Sequence, residues 1–134
     1  MNIDLNFLAV LISAFVHFVL GAVWYSPLLF ARKWAALKGI DMNDDEHGPT
    51  PAMFVGSFLA GLALAVGLAV VLSIGAPPSL GAAILLALIV GVAFTAAPQF
   101  ANAMFGGDVR VWLIDAGYPL VSIVLMSVIL YLWV

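Results

Sequence analysis

Three side chains with acid–base or hydrogen-bonding chemistry interrupt apolar stretches of this sequence. His17 lies within the first stretch, and Asp115 and Tyr118 lie near the start of the last. Ionisable groups inside a membrane span are costly and usually face a partner or a water-filled cavity. At a rise of about 1.5 Å per residue, His17 and Tyr118 fall at similar depths if both stretches are helices. We therefore expect these three residues to form a polar cluster that binds a small ligand or a proton. Gln99 and Asn102 would close this cluster from below.

Each of these residues also has a purely structural interpretation. His17 is equally consistent with a hydrogen-bonded packing residue. Asp115 lies near enough to the start of its helix to cap it, a position that the helix dipole favours for an acid. The pair Tyr118-Pro119 is also typical of a kinked helix whose tyrosine reaches an interface. The sequence leaves these alternatives open.

The sequence offers few residues for a metal site or a catalytic nucleophile. It contains no cysteine, and its two histidines, His17 and His47, lie in stretches that we do not expect to converge. The acidic stretch 41–48 lacks the spaced oxygen ligands of a calcium loop, so we expect a solvated loop. No Ser–His–Asp order, glycine-rich phosphate loop or pair of membrane carboxylates is present. We therefore expect no metal, no cofactor and no enzyme activity.

The composition points to a lipid environment. Of 134 residues, 66% are hydrophobic and 8% are charged, and the mean hydropathy is +1.23. Soluble domains carry about 25% charged residues, so a water-soluble fold could not bury this much apolar surface. The net charge is −3 and the four basic residues form no large patch, which argues against a nucleic-acid partner.

Four apolar stretches are long enough to cross a bilayer, which takes about 20 residues in a helix. They are residues 5–25, 51–74, 79–98 and 111–133. Pro98 is expected to kink or end the third of them. We predict an all-α fold, with residues 1–134 forming a single domain. The domain is an integral membrane bundle of four transmembrane helices arranged as two helical hairpins, with a short amphipathic interfacial helix after the first.

Aromatic and small residues have predicted roles in this bundle. Aromatic side chains are enriched at membrane interfaces, and six residues near the helix ends are candidate interface anchors: Trp24, Tyr25, Pro27, Phe30, Trp34 and Trp112. Small residues at four-residue spacing let helices approach closely in lipid. We expect helix packing at Gly61, Ala65, Ala87 and Gly91.

The basic residues predict the orientation. All four lie in or beside two of the three loops, the segments 26–50 and 99–110: they are Arg32, Lys33, Lys38 and Arg110. The positive-inside rule places such loops in the cytoplasm. Both termini are therefore expected outside the cytoplasm, in a bacterial inner membrane.

Two segments resemble a known family. They are GAVWYSPLLFARKW, residues 21–34, and AMFGGDVRVWLIDAGYPLVSIVLMSVILYLW, residues 103–133. The family that they resemble consists of small bacterial membrane proteins catalogued as domain of unknown function 1761. The resemblance covers nearly the whole chain and implies a four-helix membrane protein, but it implies no activity.

So small a bundle has little interior of its own, so we expect a homo-oligomer or docking to a larger membrane complex. The leading hypothesis is an oligomeric scaffold or transport-like protein that binds a small ligand or proton near the cytoplasmic side. The alternative is a non-catalytic accessory subunit that only makes contacts in a larger membrane complex. A membrane enzyme is the third class.

Overall fold

The computed structural model describes residues 5–40 and 50–133, and all regular structure in this part of the chain is helical. The acidic stretch that we expect to be a solvated loop lies outside the described residues. Four helices are long and apolar enough to cross a membrane: Phe7–Trp24, Pro51–Gly75, Leu80–Gly106 and Val109–Leu132. They agree with the four predicted spans, except that the third is longer.

The first span, α1 (Phe7–Trp24), begins at a side-chain cap. Asn6 accepts a hydrogen bond from the Ala9 N–H at 3.2 Å through its side-chain oxygen, which satisfies one of the unpaired amides of the first turn. A turn through Ser26-Pro27 leads to α2 (Ala31–Lys38), which ends at Gly39 with a left-handed φ of 69°. Arg32 and Lys33 are exposed on α2, whereas Ala31 and Ala35 are buried.

The second span, α3 (Pro51–Gly75), begins as its sequence predicts. Thr50 caps it by accepting a hydrogen bond from the Met53 N–H at 3.3 Å, and Pro51 occupies the first position, where a missing N–H costs nothing. A short turn then leads to Ser79, which accepts a hydrogen bond from the Ala82 N–H at 3.1 Å and caps the third span.

The third span does not end at Pro98. It consists of α4 (Leu80–Gly91), a π-helical turn (Val92–Ala96) and α5 (Ala97–Gly106). A π-helical turn widens the helix by one residue per turn. It directly precedes Pro98, which lies in the first turn of α5. The helix thus accommodates a residue without an N–H, and the expected boundary at residue 98 moves to Gly106.

The last span, α6 (Val109–Leu132), is capped by Asp108, which accepts a hydrogen bond from the Arg110 N–H at 2.8 Å. In the bundle, α1 packs against both α3 and α6, and α4 packs against α6. The helices α3 and α4 are joined by a short turn but scarcely touch each other. The α1–α6 contact is therefore central, and it holds the buried polar residues described next.

Small residues line the contacts between these helices. Ala65 and Ala87 are fully buried. A Cβ atom added at Gly91 would lie 2.6 Å from a methyl carbon of Leu120, and one added at Gly61 would lie 2.5 Å from Cδ2 of His17. These four positions are the ones selected from the sequence as packing residues.

Candidate functional site

Asp115 receives two hydrogen bonds from aromatic side chains of the preceding helices. The Tyr25 hydroxyl donates to Oδ1 at 2.7 Å, and the Trp34 Nε1–H donates to the same oxygen at 2.9 Å. Asp108, not Asp115, caps α6, so the interpretation of Asp115 as its own helix cap is wrong. Asp115 lies in the second turn of α6, and side chains from outside α6 hold its carboxylate.

The turn after α1 brings these two donors together. The Ser26 hydroxyl donates to the Val23 carbonyl at 2.6 Å, and the Phe30 N–H donates to the Trp24 carbonyl at 3.1 Å. These bonds turn the chain between α1 and α2, and α2 packs against α6. The rings of Tyr25 and Trp34 then meet edge to face, with centroids 6.0 Å apart, a favourable aromatic geometry.

Trp24 at the end of α1 is hydrogen-bonded to the backbone of α6. Its Nε1–H donates to the Ile114 carbonyl at 2.9 Å. Gly117 makes this approach possible, because a Cβ atom there would lie 2.9 Å from Cζ2 of Trp24. Together with Phe30, whose ring centroid lies 4.9 Å from that of Trp24, these residues form a compact aromatic group against the start of α6.

A comparable contact joins α6 to the third span. The Trp112 Nε1–H donates to the Ala96 carbonyl at 2.9 Å, and its ring meets Phe100 edge to face, with centroids 5.0 Å apart. Trp24, Trp34 and Trp112 were all predicted to be interface anchors. Their indole N–H groups are bonded to protein acceptors, a partnership that the sequence analysis did not predict.

Asp115 also lines a cleft of about 660 Å³ between α2, α5 and α6. Gln99 and Asn102 contribute amide groups to this cleft, and Lys38 contributes an ammonium group. Within the described part of the chain, Oδ2 of Asp115 has no hydrogen-bond partner. Three of the five predicted site residues therefore share one cavity. Lys38 was not among the predicted site residues, because its sequence context suits an amphipathic helix that lies in the membrane interface.

His17 and Tyr118 form a second group deeper in the bundle. His17 Nδ1 is hydrogen-bonded to the Ser122 hydroxyl. The Tyr118 hydroxyl donates to the His17 carbonyl at 2.7 Å, and the two rings stack with centroids 4.8 Å apart. The predicted site residues thus form two groups joined through Tyr25, whose ring centroid lies 5.9 Å from that of Tyr118. Ser122 was not among them, although its spacing of four residues from Tyr118 puts both on one helical face.

Two further serines are buried in the bundle. Ser13 and Ser127 are fully buried, and neither hydroxyl oxygen has a hydrogen-bond partner among the described residues. Ser13 lies one turn from His17 on α1, while Ser127 lies on a different face of α6 from Ser122. Both can be compared with Ser122, which is also buried but whose hydroxyl is bonded to His17.

Two groups outside the spans have shifted pKa values. Burial, reinforced by the hydrogen bond to Asp115, raises the pKa of Tyr25 well above its ordinary value, so this hydroxyl stays a donor. At the rim of the cleft, hydrogen bonds from Arg110 lower the pKa of Asp108. The Asp108 carboxylate is held there by the Arg110 guanidinium at 2.8 Å.

No group of three potential metal ligands occurs within residues 5–40 and 50–133, and His47 lies outside them. A search of curated proteins finds no match to this chain, and neither does a search of solved structures. The model of one family, described as "Protein of unknown function (DUF1761)", matches residues 8–131. Because this match covers nearly the whole chain, the protein belongs to the DUF1761 family.

Proposed function

We propose that this protein is an integral membrane protein that binds a small polar ligand in the cleft beside Asp115. The observation that carries the proposal is the environment of that carboxylate. One oxygen is fixed by Tyr25 and Trp34, the other has no partner among the described residues, and Asp115 lines the cleft. A positioned acceptor beside two amide side chains suits binding and orientation of a ligand that donates hydrogen bonds.

The apolar outer surface supports insertion into a bilayer. Spans of 18 to 27 residues correspond to helices of about 27–40 Å, enough for the hydrocarbon core. Large apolar side chains such as Phe7, Phe15 and Phe94 are more than half exposed, which lipid chains would cover. In this arrangement the chain crosses four times as two hairpins, with the cleft at the end that carries the basic residues. That end faces the cytoplasm of a bacterial cell.

The orientation can be tested cleanly because the chain contains no cysteine. We expect Pro78→Cys, in the loop between α3 and α4, to react with a membrane-impermeant thiol reagent on intact cells. Lys33→Cys, on α2, should react only after the membrane is permeabilised. Both positions are exposed. The reverse pattern would contradict the proposed orientation, and labelling of both on intact cells would contradict insertion with these loops on opposite sides.

The binding function is tested by native mass spectrometry of the protein extracted in lipid nanodiscs. We expect a retained small molecule in the wild type and its loss in Gln99→Leu, which puts an apolar side chain into the cleft. Ser57→Leu is the matched control, because Ser57 is exposed on α3 away from the cleft. Retention by Gln99→Leu as strong as by the wild type would overturn binding in this cleft.

The same measurement reports the assembly state. We propose that the protein is a homo-oligomer or docks to a larger membrane complex, because a bundle of this size buries only a minority of its span residues. A bare protein that co-purifies with other subunits and carries no ligand would support the alternative, a non-catalytic accessory subunit.

A further inference from the structure

Two opposite charges face the same cleft across one indole ring. Trp34 donates its Nε1–H to Asp115 at 2.9 Å, while the Lys38 ammonium lies over its ring, 4.6 Å from the centroid. Lys38 and Asp115 make no ion pair within 4.0 Å, yet both line the cleft. Trp34 thus contacts a cation and a carboxylate that are not paired with each other, so each can bind a ligand group of the opposite charge.

The carboxylate side of the cleft suits a primary ammonium group. The partnerless Oδ2 of Asp115 can accept one N–H bond, and the side-chain carbonyls of Gln99 and Asn102 can accept others. A quaternary ammonium has no N–H to offer these acceptors. A hydroxyl-only headgroup would leave the carboxylate without a counter-charge, and charge-assisted hydrogen bonds are about twice as strong as neutral ones.

The opposite side of the cleft suits a phosphate whose remaining substituents are apolar. Lys38 supplies a mobile point charge of the kind that binds phosphate. The wall of the cleft also includes the apolar side chains of Leu37 and Val111 and the indole ring of Trp112. Such an apolar wall at the end of an apolar bundle suits acyl chains rather than water.

Resting on the binding function proposed above, we propose that the ligand is an aminophospholipid of the phosphatidylethanolamine type. Its primary ammonium binds Asp115 between Gln99 and Asn102, and its phosphate binds Lys38. Its acyl chains lie along the apolar wall of Leu37, Val111 and Trp112. The headgroup thereby bridges the two charges that Trp34 separates.

The test is lipid retention in native mass spectra of the full chain in nanodiscs made of equal amounts of phosphatidylethanolamine and phosphatidylglycerol. We expect the wild type to retain phosphatidylethanolamine over phosphatidylglycerol by about tenfold, the scale of one charge-assisted hydrogen bond. Asp115→Asn keeps an oxygen for Tyr25 and Trp34 but removes the charge, so it should retain both lipids about equally. Asp108→Asn, at the same rim but paired with Arg110, should keep the wild-type preference.

A second variant tests the proposal independently if Asp115→Asn does not fold. Lys38 is exposed, so Lys38→Gln should fold normally and should weaken retention of both lipids, because both carry the phosphate. Equal retention of the two lipids by the wild type would overturn the aminophospholipid while leaving ligand binding in the cleft intact. Retention that Gln99→Leu does not reduce would overturn both the ligand and the cleft.

Soluble phosphoethanolamine distinguishes a lipid from a free metabolite with the same headgroup. We expect it to displace the retained lipid only at concentrations far above those needed for a short-chain phosphatidylethanolamine, because it has no acyl chains to cover the apolar wall of the cleft. Displacement by both at equal concentration would overturn the role of the acyl chains and assign the cleft to the soluble headgroup.

Discussion

Tyr118 is joined to His17 twice, by a hydrogen bond from its hydroxyl to the His17 carbonyl at 2.7 Å and by stacking of the two rings at 4.8 Å. Gly21 lies one turn after His17 on α1 and makes this contact possible. A Cβ atom at Gly21 would lie 2.7 Å from the Tyr118 hydroxyl oxygen and 2.9 Å from Cζ. The central contact between α1 and α6 therefore depends on a position without a side chain.

We expect Gly21→Ala to destabilise the bundle. The added methyl group must displace a ring that is held by its own hydrogen bond, and overpacking of this kind costs about 1–3 kcal/mol. The measurement is the thermal unfolding midpoint of the detergent-purified protein. Gly56→Ala is the control, because a Cβ atom there meets nothing within 4 Å. Equal midpoints for the two variants would contradict this account of the α1–α6 contact.

We expect Ser122→Ala to be destabilising and Ser127→Ala to be nearly neutral. Both serines are buried on α6, but the Ser122 hydroxyl is bonded to His17 whereas the Ser127 hydroxyl has no partner in the described part of the chain. Removing Ser122 leaves a buried imidazole nitrogen unpaired, which costs about 1–3 kcal/mol. Ser127→Ala replaces an unpaired hydroxyl by a hydrogen atom and so removes no hydrogen bond.

The denaturation midpoints of the two variants at one pH decide this prediction. A double variant with His17→Leu supplies the pairwise term, because Ser122→Ala should cost less once the imidazole is absent. A larger loss for Ser127→Ala than for Ser122→Ala would contradict the assigned pairing.

The sequence predicts the helices of this protein well because their signals are local. Apolar length marks the spans, and Thr50 with Pro51 marks the start of α3. Pro98 misleads because its effect depends on the preceding turn: a π-helical turn absorbs the missing N–H, and the helix continues. Nothing in residues 92–96 alone distinguishes that turn from ordinary α-helix.

The site is harder to predict because it depends on partners far apart in the chain. Tyr25 and Trp34 have apolar rings with polar tips, which suit a membrane interface as well as they suit a buried acceptor. Counting residues along each helix correctly places Tyr118 at the same depth as His17. It does not specify how each helix is rotated about its axis, and so it does not specify which side chains meet. Asp115 therefore meets the end of α1 and α2, while His17 meets Ser122.

We expect the protein to lose stability at alkaline pH through Tyr25, the residue that follows the end of α1. Burial, with the hydrogen bond to Asp115, raises its pKa above the ordinary value of 10.0. The unfolded chain releases this proton near pH 10 while the folded chain still holds it, so the folded state binds more protons above that pH. The stability that neutral Tyr25 contributes is fully present below pH 10 and is lost as the pH rises towards the raised pKa.

Unfolding midpoints between pH 8 and 11.5 should therefore fall above about pH 10, and less steeply in Tyr25→Phe. Tyr131→Phe, at the opposite end of the bundle, should follow the wild type, and an unchanged slope in Tyr25→Phe would refute the assignment.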